Sequence, residues 1–513
     1  MFLPTVTTDE VIKIVFALKN GAPGYDDIDS KSLKSIVHLI ACPLTYVFNL
    51  SLSNGVFPME MKISNVVPLF KGGDEMLFTN YRPVSLLITL SKVLERVMYN
   101  RLINFLNEFK LLFEYQFGFR KYFSSYMALM ILVDKLSHYL ENGDYVIGIF
   151  LDFSKAFDTV NHSILLEKMY YYGIRGPALQ WFSSYLSGRT QFVSYNGVQS
   201  NTKSIKCGVP QGSILGPLLF LLYINDLQNV CQYSLPILFA DDTNLFFNSK
   251  DITKLNFMLS EELSNISKWL KVNRLSLNIN KTKYMLFTKK RYISDQIKIE
   301  IDKTPISKTN VSKFLGVIID DKLTWKDHIA YVNGKIARGV GILNKAKHYL
   351  NREALTTLYY SFIYPYITYC NQVWGSNYKS RLNRTVVLQK KALRIVTHSE
   401  YRCHTSPLFK QLNLLTVENV NNFLIGIFMH RRFHDTLPSV FNGFFQINSN
   451  IHEHQTRTSQ QLHTPIIKTD IGKFNIRYRG SKIWNYIISN GINPEVSEAS
   501  FKIALKKFLV NNN

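Results

Sequence analysis

Leu238-Phe239-Ala240-Asp241-Asp242-Thr243-Asn244-Leu245-Phe246 sets two apolar runs on either side of adjacent carboxylates. Aromatic and branched residues flank a short polar centre of turn formers, which predicts the arms of a tight hairpin. Two aspartates then fall at its tip. Like charges so close repel, and burial against apolar neighbours adds a desolvation cost, so a fold keeps the arrangement mainly where a cation sits there. The expected cation is Mg²⁺. Taken alone, an Asp-Asp pair more often marks an exposed turn, so the surrounding chain decides the reading.

Upstream, Tyr145 to Leu151 is a near-continuous apolar strand that ends in Asp152-Phe-Ser-Lys-Ala-Phe-Asp158. Asp152 is thus a carboxylate at the end of a buried strand, with a helix expected from His162 to Tyr171. Thr190 to Thr202 carries Asn196-Gly197, the dipeptide that favours a type I′ hairpin turn. Cys207-Gly-Val-Pro-Gln-Gly-Ser213 follows, where small residues let backbone approach a ligand closely, and an apolar helix is expected from about Leu218 to Leu227. Downstream, Leu259, Leu263, Ile266 and Leu270 make a helical stripe. A polar connection from Leu275 to Lys283 leads into a strand from Tyr284 to Thr288, and the apolar run Lys313 to Asp320 precedes a basic helical region. Helices alternate with strands.

At the other end, Thr8-Asp9-Glu10 is read as capping a helix through Lys19, and a Gly- and Pro-rich loop (21–28) leads into a second helix through about Leu52. A strand from Val66 enters a glycine turn carrying Lys71, with Arg82 beside a proline further on. These two either grip phosphates or are solvated cations near a turn. Leu90, Val93, Leu94, Val97 and Leu102 lie at helical spacing. Gln116-Phe-Gly-Phe-Arg-Lys121 interleaves aromatic and basic residues around a glycine, which suits stacking and phosphate contact, although a core loop reads much the same.

At 513 residues the chain exceeds the size of a single hydrophobic core, so two to four packed units are expected. Its 46% hydrophobic and 13% aromatic content excludes wholesale disorder. The net charge of +23 implies a polyanionic partner, nucleic acid before membrane. Between Tyr331 and Lys410 there are 13 Lys or Arg against Glu353 and Glu400, a net of +11, where a surface tracking a phosphate backbone is expected. Cys42, Cys207, Cys231, Cys370 and Cys403 fall at no metal-ligand spacing and read as reduced intracellular thiols. Ile214 to Ile224 is too short to span a bilayer, and no transmembrane or targeting segment is expected. His452-Glu453-His454 lacks the spacing of a zinc-protease helix, and Cys403-His404 lacks partners, so both are read as structural or surface residues.

Taken together, these stretches resemble the reverse transcriptases of non-LTR (LINE-like, jockey-type) retrotransposons. KNGAPGYDDI, VVPLFKGGD with NYRPVSLL, QFGFR, LDFSKAFDTV, GVPQGSILGP, FADD, LNINKTK and KFLGV each look like a family block, in the family's order, from about Lys19 to Trp325. The resemblance implies an α+β right-hand polymerase with an antiparallel palm sheet. It implies an N-terminal extension and fingers over 1–140, and a palm over 141–325 with an interleaved fingers segment at about 160–205. A basic helical thumb over 326–398 and a mainly helical C-terminal region, 399–513, of unassigned role would follow.

By the same resemblance, Asp152, Asp241 and Asp242 look like the catalytic, metal-binding triad, holding two Mg²⁺ ions, with Mn²⁺ as a substitute. In such sites two ions about 3.5 to 4 Å apart stabilise the attacking and leaving oxygens. Lys71 and Arg82 would grip the triphosphate, Phe157 would pack under the deoxyribose, Gln211 would line the sugar and template side, and Lys281 would act as an acid near the leaving pyrophosphate. Phe314, Leu315 and Gly316 resemble the loop that supports the primer end, with Lys390, Lys391 and Arg394 on the template-primer backbone. The implied partners are an RNA template, a DNA primer or target and dNTPs, with no membrane, acting inside the cell and by analogy in the nucleus. An endonuclease ahead of the domain and an RNase H or zinc knuckle behind it are expected to be missing. The competing readings are a catalytically inactive nucleic-acid-binding remnant, an RNA-templated RNA polymerase and a group II intron maturase.

Overall fold

The computed structural model describes residues 1–290, 297–451, 459–467 and 469–512; the His452–His454 stretch lies outside them. Strands β1 (Ile63–Phe70) and β2 (Tyr81–Leu86) form a hairpin, and β3 (Tyr145–Leu151) follows. Next, β4 (Thr190–Tyr195) turns through Asn196-Gly197 into β5 (Val198–Gln199), with β6 (Lys203–Ser204) beyond it. The chain continues through β7 (Leu235–Phe239), β8 (Asp242–Ser249), β9 (Lys283–Phe287), β10 (Glu300–Ile301), β11 (Thr304–Pro305) and β12 (Ser307–Lys308). A last hairpin joins β13 (Val311–Phe314) to β14 (Val317–Asp320).

The central sheet runs β12-β9-β3-β8-β7 and is antiparallel except where β12 meets β9. Its side chains alternate between two cores, as strand geometry requires. Ile147, Ile149, Leu245, Phe247, Tyr284 and Leu286 enter the first core, which helices Gly216–Ile224 and Ile252–Val272 complete. Val146, Phe246, Met285 and Phe287 enter the second. With both faces covered, β3 has no solvated side, which is why Tyr145 to Leu151 reads as a continuous apolar run. A second sheet, β2-β1-β4-β5 with β6 on β4, stands apart from the first, and β4 lies parallel to β1.

The second core also takes in helices Ser125–Glu141, Lys326–Ala346, Lys379–Val396, Val417–Phe433, Ile476–Ser489 and Glu498–Asn511. The C-terminal region is therefore continuous with the body of the molecule. Arg477 clasps the buried Asp134 with two hydrogen bonds, 2.7 and 3.1 Å, and its guanidinium lies 3.7 Å from the Phe444 ring centroid. Arg431 reaches both Glu498 and the Tyr126 hydroxyl.

Several boundaries differ from expectation. The first helix spans Thr8–Ala17 and is capped by Thr7, whose side chain accepts from the Glu10 N–H. The apolar helix after Ser213 closes at Ile224 and continues as a 3₁₀ turn, Asn225–Val230. The run Lys313 to Asp320 is two strands, because Leu315 (φ 46°) and Gly316 (φ 79°) are both left-handed. Helix Ser30–Asn54 is long and apolar enough, by length and composition, to cross a membrane. The sequence predicts this helix through about Leu52, while only Ile214 to Ile224 is weighed there as a span. Here Leu33, Val37, Ala41, Phe48 and Leu52 bury one face in the first core.

Candidate active site

β7 and β8 form the expected hairpin: Phe239 pairs with Asp242, leaving Ala240 and Asp241 in the turn. Ala240 has φ 56°, a conformation that costs a non-glycine residue about 1 to 2 kcal/mol. Beside the turn, Leu151 of β3 pairs with Thr243, so Asp152 continues the register next to Asp242. The 275–283 connection is strapped onto Asp152: its carbonyl accepts from the Asn278 N–H at 2.8 Å and its N–H reaches Thr282 Oγ1 at 3.4 Å. Thus three carboxylates from two neighbouring strand ends come together.

Their electrostatics show mutual repulsion. Burial pushes Asp242 up first, then Asp241 and Asp152 push it further, to about 6 from an ordinary 3.8. Asp241 is raised by burial and Asp152, against the opposing pull of its own backbone N–H and of Arg82. Among the described residues no three His, Cys, Asp or Glu side chains close into a ligand cluster. The fit to a divalent ion therefore rests on the donor set: three hard carboxylates that destabilise one another unless positive charge is supplied.

The other predicted residues divide into those near this turn and those apart from it. Arg82 pairs opposite Leu69 across the β1–β2 hairpin, and the Lys71 N–H extends that ladder to the Asn80 carbonyl at 2.8 Å. Lys71 and Arg82 consequently share one face as diagonal neighbours, both exposed. The Arg82 charge pulls Asp241 down, the smallest of the influences on that carboxyl. Phe157 is half-buried, stacked on Phe220 at 4.4 Å with Phe119 edge-on at 6.2 Å. Gln211 is engaged: its Nε2 donates to Asp158 Oδ1 at 2.8 Å and its carbonyl accepts from the Ser85 N–H at 2.7 Å. A Cβ on Gly212 would meet the Ser85 carbonyl oxygen at 2.6 Å, so only glycine permits this approach. Lys281 is exposed on the strap that holds Asp152.

Phe314 buries its side chain in the second core, so the Leu315-Gly316 turn is what this loop presents, held by the Tyr369 hydroxyl donating to the Leu315 carbonyl at 2.7 Å. Lys391 is exposed and Lys390 half-buried on helix Lys379–Val396, whereas Arg394 Nε donates to the Cys403 carbonyl at 2.9 Å. Arg394 serves the fold at least as much as any ligand. Where this helix meets Lys326–Ala346, a cavity of about 330 Å³ is lined by Lys326, Asn333, Arg381 and Arg384 among others.

Sequence reasoning missed two side chains. Glu95 is fully buried, and its Oε2 accepts from the N–H groups of Ile214 (2.7 Å) and Leu215 (3.2 Å), anchoring the loop that carries Gln211. A lone Glu inside an apolar helical stripe was the available signal. Gln116 lies in the stretch that suits either stacking and phosphate contact or a core loop; it is 2% exposed and bonded to the Ala240-Asp241 turn. Arg120 is likewise turned inward, donating to the carbonyls of Phe113 and Gln116. Of that stretch, Phe119 and Lys121 face outward or partly so.

This palm sheet, with carboxylates at a hairpin turn and an adjoining strand end, defines a right-hand polymerase. Residues 71–319 match the family of reverse transcriptases (RNA-dependent DNA polymerases). The chain is 30% identical over 438 residues to a probable RNA-directed DNA polymerase from transposon X-element of Drosophila melanogaster, covering 83% of this chain and 47% of that protein. It is 31% identical over 420 residues to the RNA-directed DNA polymerase from mobile element jockey of Drosophila funebris, covering 79% and 45%. Residues 71–319 thus carry a reverse transcriptase domain similar to that of the jockey-type non-LTR retrotransposon proteins, and the chain spans about half the length of these relatives. Among solved structures, an apo telomerase from Candida tropicalis truncated from its C-terminal domain aligns with a TM-score of 0.38 at 14% identity, over 56% of this chain and 59% of that one.

Proposed function

We propose that the chain extends a primer 3′-hydroxyl with dNTPs on an RNA template, using Asp152, Asp241 and Asp242 to hold two Mg²⁺ ions. The observation that carries this reading is the convergence of three mutually repelling carboxylates at the Ala240-Asp241 turn and the end of β3, with Arg82 acting on one of them. Bound ions would stabilise the attacking and leaving oxygens of the transfer. The chain's own groups do the rest. Lys71 and Arg82 offset charge on the β and γ phosphates, an electrostatic contribution fixed before reaction. Phe157, fixed by Phe220, bounds the space at the sugar's 2′ edge. Lys281 stands ready to give a proton to pyrophosphate, and Leu315-Gly316 supports the primer end.

In this reading residues 1–140 supply the N-terminal extension and fingers, 141–325 the palm with a fingers insertion at about 160–205, and 326–398 the thumb, whose Lys390 and Lys391 meet template-primer phosphates. Residues 399–513 brace thumb and palm. The site of action would be the nucleus, by analogy with the relatives' way of life. Purified chain with an oligo(dT)-primed poly(rA) template, dTTP and Mg²⁺ tests the proposal. Metal-dependent extension is expected; template binding without extension would leave a nucleic-acid-binding remnant.

A further inference from the structure

The turn that carries Asp241 does not hold its own shape. Ala240 is left-handed without being glycine, and it is 4% exposed, so neither its geometry nor its peptide groups are relieved by water. A segment far away in sequence is laid against it. Phe117 N–H donates to the Leu238 carbonyl at 2.8 Å and Leu238 N–H to the Tyr115 carbonyl at 3.0 Å, like a short extra strand beside β7. From this segment the Gln116 side chain reaches the turn. Its Oε1 accepts from Ala240 N–H at 2.9 Å and from Gly118 N–H at 2.9 Å, while Nε2 lies 3.5 Å from the Ala240 carbonyl. A Cβ on Gly118 would lie 2.3 Å from the Ala240 nitrogen, so the approach is closed to any other residue.

We propose that Gln116 is a positioning residue: its amide fixes the peptide of Ala240 and thereby sets the direction in which the next residue, Asp241, presents its carboxylate to a divalent ion. The inference rests on the proposed ion-holding role of Asp241. One amide bonded to both the N–H and the carbonyl side of a left-handed residue restrains rotation on either side of its Cα. The consequence falls on the residue that follows.

The test uses the full chain with Mn²⁺ as probe, its binding read from the loss of the free-ion electron paramagnetic resonance signal, alongside thermal melts without metal and kcat and KM for dTTP. Gln116→Met keeps length and removes the acceptor shared by two N–H groups; Gln116→Glu keeps that acceptor. Partners behind a metal ligand typically govern affinity or activity by about 10- to 100-fold. Q116M is expected to weaken Mn²⁺ binding and lower kcat within that range while KM for dTTP stays nearly constant, and Q116E is expected to restore most of the binding. If Q116M does not fold, Gln116→Asn, one methylene too short to reach the turn, takes its place. A melting temperature that drops while Mn²⁺ affinity stays at the wild-type value would reduce Gln116 to a packing residue and overturn the proposal. Asp241→Asn serves as the control: if it binds Mn²⁺ like wild type, the ion-site reading fails, and the role of Gln116 with it.

Discussion

Under the proposed function, Phe157 is one ring that serves both the core and the nucleotide site. Its stacking on Phe220 at 4.4 Å fixes the ring plane, while its half-exposed edge leaves it available to a bound sugar. Forcing an extra group against a well-packed wall costs on the order of 1 to 3 kcal/mol, roughly ten- to a hundred-fold in rate. Phe157→Val should therefore raise the ratio of kcat/KM for CTP over dCTP on one template-primer. Equal slowing of both nucleotides would return the ring to the core. Asp242 makes a separate prediction through pH. Its folded-state carboxyl is held up near 6, above the ordinary 3.8, so the ionised folded form is the disfavoured one. The destabilisation is absent well below 3.8 and complete above about 6. Without metal, Asp242→Asn should melt above wild type at pH 7.5, and the gap should shrink as pH falls through 6 toward 4. The same proton competes with an ion, so the Mg²⁺ concentration for half-maximal extension should rise as pH drops below about 6.

At the scale of elements, the hairpin at Asp241 was legible because aromatic and branched runs flank a polar centre within nine residues, and Asn196-Gly197 announced its turn as plainly. β3 was legible because both its faces are buried, leaving no polar alternation to blur it. What was illegible depends on contacts between distant segments. Nothing local in Gln116-Phe-Gly-Phe-Arg distinguishes a brace from a nucleic-acid-binding loop, since both need an amide, aromatics and a close-approaching glycine. That Asp152 stands beside Asp242 came from the family resemblance, because strand pairing is not written in either strand alone. Helix Lys379–Val396 gives the matching lesson for charge: Lys391 faces solvent, but Arg394 is tied to the Cys403 carbonyl. Replacing Lys390 and Lys391 by Ala should flatten the log–log dependence of template-primer binding on salt by up to about 1.8, at about 0.9 per duplex phosphate. An unchanged slope would place the duplex elsewhere.

Over the whole molecule, the central sheet separates two cores, and the second takes in the C-terminal helices. The Asp134–Arg477 pair ties helix Ser125–Glu141, which covers that face of the sheet, to the last third of the chain. Removing one partner strands a buried carboxylate. Arg477→Ala should cost about 2 to 3 kcal/mol in urea unfolding, below the range for a wholly buried pair because Arg477 is partly exposed. A change under about 0.5 kcal/mol, the usual size for surface substitutions, would make the C-terminal region a passenger. In the proposed function, three carboxylates from β3 and the β7–β8 turn form one ion-dependent polymerase centre. Primer extension by Asp241→Asn and Asp152→Asn, measured beside their affinity for the same template-primer, addresses it directly. Each variant should lose synthesis in Mg²⁺ while binding template-primer like wild type; substantial extension by either would contradict the account.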